Sequence, residues 1–184
     1  MKGMSENVFI NVKNTSLSIT ADVDIPNGGA EGVVLAQAGR FGGWSLYLHK
    51  GKPTYTYNWL GLQRYSVAST QAVAAGKATI RFEFTYDGGG IGKGGTGTIF
   101  VNGQKVAEGR IDKTHCCVFS ADEGTDVGID EGTPVSEDYQ AGEESKFTGK
   151  IFKVTVDLKP GKPLNKAETE QIEEHDAAAK QAEE

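Results

Sequence analysis

At 184 residues and 38% hydrophobic content, the chain is long enough for one domain with a core and too short for two ordinary ones. Its 25 glycines follow no collagen period and call for many turns between short strands, and no apolar run approaches membrane-spanning length. Nearly all of the net charge of −6 lies beyond Asn165, where Lys166 and Lys180 face seven acids; the rest is close to neutral, with no basic stripe for phosphates, so neither a nucleic-acid nor a membrane partner is expected.

The first residues, Met1-Lys2-Gly3-Met4-Ser5, carry charge with no apolar stretch behind it, so no signal peptide is expected in the chain as it stands. From Leu17 to Ile25 every odd position is apolar and every even one polar, the mark of a strand with one core face and one wet face. Pro26-Asn27-Gly28-Gly29 ends it. A more apolar strand follows at Val33-Val34-Leu35-Ala36, then a turn at Gly39-Arg40-Phe41-Gly42-Gly43. Trp44, Leu46 and Leu48 share a face of the next strand, and Tyr55, Tyr57 and Trp59 share a face of the one after Lys50-Gly51-Lys52-Pro53. Ile80, Phe82, Phe84 and Tyr86 alternate with polar residues. Asn102-Gly103, between Ile99-Phe100-Val101 and a returning arm at Gln104 to Ile111, has the composition of a type I′ hairpin turn. Further strands are expected at Cys117 to Ser120 and at Phe152 to Leu158, the latter with Phe152, Val154, Val156 and Leu158 inward.

With about ten to twelve strands and no intervening helix, the expected fold is all-β, a two-sheet antiparallel sandwich of residues 1–158. Residues 159–184 read as a linker, Lys159-Pro160-Gly161-Lys162-Pro163, and an exposed acidic helix capped by Asn165 with Glu168 three residues on.

Few patterns suggest chemistry. The run Asp87 to Gly97 matches G-x-G-x-x-G in two registers, but Gly94 stands where a Walker loop needs Ser or Thr, and a strand follows, so a hairpin loop is expected. His49, His115 and His175 are far apart and lack a metal spacing. Cys116 and Cys117 are adjacent; in a strand their thiols would point to opposite faces, which makes them ordinary small apolar residues, with a vicinal disulfide the alternative. The acidic stretch from Asp122 to Glu144 has no Lys or Arg, and two readings stand: a solvated loop, or a structural calcium site using Asp122, Asp126 and Asp130. The aromatics Trp44, Tyr47, Tyr55, Tyr57, Trp59 and Tyr65 read as core or interface packing, with a sugar-stacking face the alternative; its candidate ligand-binding residues are Arg40, Trp44, Tyr57, Trp59 and Arg64.

Several segments resemble, in order and spacing, the C-terminal region of bacterial arylsulfatases: Gly39 to Tyr47, Tyr57-Asn58-Trp59-Leu60-Gly61-Leu62, Arg81 to Gly90, Phe119 to Glu123, Asp126-Val127-Gly128, Thr133-Pro134-Val135 and Phe147 to Ile151. The resemblance covers about residues 10–158. It implies a concanavalin-like jelly roll appended to an alkaline-phosphatase-like catalytic domain, which would be its partner. It implies no catalysis by this chain: Cys116 and Cys117 are not followed by the Pro and Arg of a formylglycine motif, and no Ser has Pro two residues on. The expectation is a non-catalytic accessory domain. A carbohydrate-binding module with a glycan partner, and a stand-alone lectin-fold enzyme with paired carboxylates, are the alternatives.

Overall fold

The structure, a computed structural model, describes residues 1–159. The linker and helix expected beyond Lys159 lie outside the described residues. Ten strands form two antiparallel five-stranded sheets. Sheet I has the order β10-β1-β6-β7-β8, from β1 (Leu17–Ile25), β6 (Gly76–Tyr86), β7 (Gly95–Val101), β8 (Gln104–Ile111) and β10 (Lys150–Leu158). Sheet II has the order β5-β4-β3-β2-β9, from β2 (Gly32–Gly39), β3 (Gly42–His49), β4 (Lys52–Trp59), β5 (Gln63–Ala68) and β9 (Thr125–Val127). The all-β sandwich expected from the alternation is the observed fold.

The core lies between the sheets. Ile19, Ile80, Phe82 and Ile99 of sheet I meet Leu35, Trp44, Leu46 and Tyr55 of sheet II, all buried. At its centre the rings of Tyr55 and Phe82 stack across the layers, with centroids 3.6 Å apart and planes 8° from parallel. Glycine lets the sheets converge along one edge: a Cβ at Gly97 would stand 2.8 Å from Phe82 Cε2 and 3.2 Å from Val67 Cγ2.

Three local departures from the sequence reading have physical causes. Cys117 to Ser120 forms no strand; residues 112–119 run as an irregular loop after β8. Gln63–Ala68 is a strand the pattern left unmarked, because Tyr65 and Val67 alone supply its inward face. Phe152 does not face inward. Asp22 pairs with Lys153 while Val23 pairs with Ile151, so Phe152 is the extra residue of a β-bulge and is 49% exposed. Ile151, Val154 and Val156 keep the core side, packed against the buried cluster.

Strands β2, β3 and β4 of sheet II are covered on both faces, while β5 keeps Ser66 and Ala68 exposed. Over β2 and β3 the outer face lies under the segment 128–147, whose Ile129, Val135, Ser136 and Ser145 are buried. This explains why β2 is buried at every position where a half-buried strand would alternate. Replacing Phe82 by Ala should remove the central stack and lower unfolding free energy by about 3–5 kcal/mol, measured by urea denaturation of the purified chain.

Candidate functional site

One end of sheet II gathers segments that are far apart in sequence. The turn joining β2 to β3 consists of Arg40 and Phe41, and the turn joining β4 to β5 of Leu60, Gly61 and Leu62. The side chain of Asn58, fully buried at the end of β4, ties them together. Its amide donates to the carbonyls of Gly39 and Arg40, both at 2.8 Å, and its oxygen accepts from the Gly61 N–H at 3.0 Å. Three of its four hydrogen-bonding positions are thus filled by backbone. Left-handed backbone occurs at Ala38 (φ 59°), near the end of β2, and at Leu60 (φ 57°), the first residue of the second turn, a conformation that costs a side-chain-bearing residue about 1–2 kcal/mol.

Two further segments close on this end. Thr133 Oγ1 accepts from the Arg40 N–H at 2.8 Å and donates to Glu123, which also accepts from the Thr133 N–H at 2.9 Å. Behind the turn, Phe119 stacks edge-on to Tyr57 at 6.0 Å between centroids. The N–H groups of Phe119 and Ser120 donate to Glu6, which pairs with Lys13 in a largely buried ion pair. The result is a hydrogen-bonded loop platform from which Phe41 (75% exposed) and Leu62 (76%) project, with exposed Leu60 and Arg40 beside them.

The five candidate ligand-binding residues have different placements. Arg40 is exposed on the platform. Trp44 and Tyr57 are not on a ligand-stacking surface: both belong to the core, as their alternation with polar neighbours required. The Trp44 indole N–H donates to Gln37 at 2.8 Å, and the Tyr57 hydroxyl accepts from the His115 N–H at 2.7 Å while burial pushes its phenol pKa up. Trp59 is half-buried with the Lys113 ammonium 4.6 Å from its ring centroid. Arg64 is held against the segment covering sheet II, donating to the Val135 carbonyl at 2.9 Å and to Glu137 at 3.0 Å.

The three aspartates considered for calcium are not gathered together. Asp122 is exposed. Asp126 is buried and accepts from the N–H groups of Gly3 and Glu131. Asp130 is buried and accepts from the Val135 N–H at 3.1 Å and the Tyr139 hydroxyl at 2.7 Å. Among the described residues, no group of three or more His, Cys, Asp or Glu is arranged to hold a metal ion. The acidic stretch forms a folded cover in which Glu123, Asp126 and Asp130 organise backbone, while Asp122, Glu131, Glu137, Asp138, Glu143 and Glu144 are exposed to solvent. Its main anchor is Tyr47, on the outer face of β3, whose hydroxyl bonds to Thr56, Ser136 and Asp138 and whose ring meets Tyr139 at 5.1 Å. The buried anchor was the element that sequence reasoning missed. Its residues are polar and lack a period, and only the fully apolar reading of β2 hinted at a covered sheet.

Cys116 and Cys117 also correct the sequence reading. They are exposed and joined as a vicinal disulfide. The argument that adjacent thiols diverge applies to a pleated strand, and here the chain is a loop.

No protein-family model matches the chain, and no curated protein does. Solved structures match its fold. Domains LG4-5 of the mouse laminin alpha1 chain align with 86% of this chain and 39% of their own length at 16% identity and a TM-score of 0.55. The CBM40 of a Ruminococcus gnavus IT-sialidase, bound to alpha2,6 sialyllactose, aligns over 79% of each chain at 14% identity and a TM-score of 0.57. The receptor-binding domain of botulinum neurotoxin type G aligns over 85% of this chain and 37% of its own at 13% identity and a TM-score of 0.51. This chain thus spans well under half of the laminin and toxin chains. At these identities the likeness establishes the concanavalin-like sandwich.

Two substitutions test this geometry. Asn58→Leu should strand three backbone groups and lower stability by about 1–3 kcal/mol, with hydrogen-exchange protection lost first at Gly61. Asp130→Asn tests the cover. Burial pushes the Asp130 carboxyl up to about 6, opposed by its hydrogen bonds from Tyr139 and Val135 and reinforced by Asp126 and Glu123. Its folded pKa lies above the unfolded value, so its contribution favours the fold at low pH and is lost as pH rises from about 4 to 6. Asp130→Asn should remove that component, so the difference in urea-unfolding free energy between variant and parent should shift in the variant's favour between pH 4 and pH 7.

Proposed function

We propose that this chain is a non-catalytic accessory domain that docks, through the Arg40–Phe41 and Leu60–Leu62 platform, on the catalytic domain of an arylsulfatase-type hydrolase. One observation carries the reading. Segments that resemble the arylsulfatase C-terminal region, Gly39 to Tyr47, Tyr57 to Leu62, Phe119 to Glu123 and Thr133 to Val135, are hydrogen-bonded or packed together at the end where Phe41 and Leu62 stand exposed. Large apolar side chains on a hydrogen-bonded, strained scaffold suit a protein interface, because little conformational freedom is lost on docking.

A second reading is a carbohydrate-binding module. The likeness to the sialidase CBM40 with bound sialyllactose, over 79% of both chains, favours it. The segment 128–147 over β2 and β3 argues against an open sheet face as the glycan platform there.

The docking reading predicts that the purified chain leaves an aryl sulfate unhydrolysed and sediments with an arylsulfatase catalytic domain. Phe41→Ser with Leu62→Ser should weaken that association at least tenfold without lowering the melting temperature, because both side chains are mostly in water. Turnover by the chain alone, or association unaffected by the double substitution, would reject it.

A further inference from the structure

The outer face of sheet I carries an exposed aromatic that the core does not use. The bulge opposite Asp22 and Val23 turns Phe152 outward. Its ring lies between two cations: the Lys150 ammonium is 4.9 Å from the ring centroid and the Lys77 ammonium 6.0 Å. The ring walls a surface cavity of about 310 Å³ that is also lined by Asp22, Lys77, Thr79 and Asn102. Two of these groups are already oriented. Asp22 accepts from the Thr79 hydroxyl at 2.9 Å, and Asn102 accepts from the Thr79 N–H at 2.9 Å, which leaves the Asn102 amide N–H groups available to a ligand.

We propose that this cavity binds a pyranose bearing one anionic group, a carboxylate or a sulfate. Each part of such a ligand has a counterpart. The C–H face of a pyranose packs on a flat ring such as that of Phe152. Ring hydroxyls are both donors and acceptors and need the mixed set offered by the Asp22 carboxylate and the Asn102 amide. The anionic substituent needs a cation, and three lysines, Lys77, Lys150 and Lys153, share this face with two aspartates, Asp22 and Asp24. None of these five side chains is in an ion pair among the described residues, so both lysines beside the ring can turn to a ligand. Lysines on an edge strand such as β10 also guard against edge pairing, but that role gives no reason for Lys77, two strands in, or for the exposed ring.

The site does not rest on the docking reading, since it lies on sheet I and the platform on sheet II. It gives the carbohydrate reading a place and a ligand class. The test is a backbone-amide NMR titration of the full chain with a hexuronate-containing disaccharide, a sulfated disaccharide, the matched neutral disaccharide and inorganic sulfate. The anionic sugars should shift the amides of Asp22, Thr79, Asn102 and Phe152, with dissociation constants of about a millimolar. The neutral sugar should bind at least fivefold more weakly. Phe152→Ala should weaken binding of the anionic sugars at least tenfold and Lys77→Ala at least threefold, both with unchanged melting temperature. Absence of shifts at these amides, equal shifts from inorganic sulfate alone, or unaltered affinity in Phe152→Ala would overturn the inference. Shifts mapping to another surface would also overturn it, while leaving a carbohydrate-binding role in place.

Discussion

The buried carboxamide of Asn58 is the contact on which the exposed end of sheet II depends. A short polar side chain in the core costs free energy unless its donors and acceptor are met, and here they are met by the backbone of two separate turns. The same bonds that satisfy Asn58 hold Leu60 in left-handed backbone and bring Gly61 against Arg40. A Cβ at Gly61 would come within 2.9 Å of the Arg40 carbonyl oxygen, so the close approach needs glycine. Turn geometry, buried polarity and exposed apolar tips are therefore one arrangement.

The second constraint is the burial of β2, β3 and β4 of sheet II on both faces. A sheet covered twice needs apolar or paired polar residues on each side. Its outer side uses hydroxyls: Tyr47, Thr56, Ser66 and Ser136 form a connected chain, extended by Asp138. Burial, with Asp138 at hand as acceptor, pushes the Tyr47 phenol up, which keeps the hydroxyl a donor at any physiological pH. The cover meets β2 so closely that Gly32, at φ 98°, has the Lys146 backbone where a side chain would be. Such a face is not an open sheet surface: what space remains there is a cavity of about 420 Å³ between Tyr47 and His49 of β3 and Glu137, Asp138 and Tyr139 of the cover.

Much of this fold was legible because alternation survives wherever one face is wet. Leu17–Ile25 has every odd residue buried as its alternation implied, with Ser18 the polar residue that is buried too, and Asn102-Gly103 adopts the left-handed pair its composition requires, with φ of 50° and 82°. Of the glycine run from Asp87 to Gly97, residues 87–94 form the hairpin loop between β6 and β7, and Gly95 to Gly97 open β7. Illegible parts share a cause: they are set by tertiary pairing. The bulge that exposes Phe152 arises from the register of β10 against β1, which no pattern within β10 encodes. The cover has polar residues buried by hydrogen bonding, invisible to a hydrophobic period. At the candidate site, Arg40 and Phe41 were legible as part of a turn, which they form between β2 and β3, while Leu60 and Leu62 entered only through the resemblance.

The bridge between Cys116 and Cys117 has a bounded role. A crosslink restricts the unfolded chain in proportion to the logarithm of the loop it closes, and adjacent residues enclose no intervening chain. Its presence or loss therefore leaves the two-layer body nearly as stable as before. The bridge lies in the short run between Lys113, beside Trp59, and Phe119, which packs behind the platform, so it borders the exposed end and not the interior between the sheets.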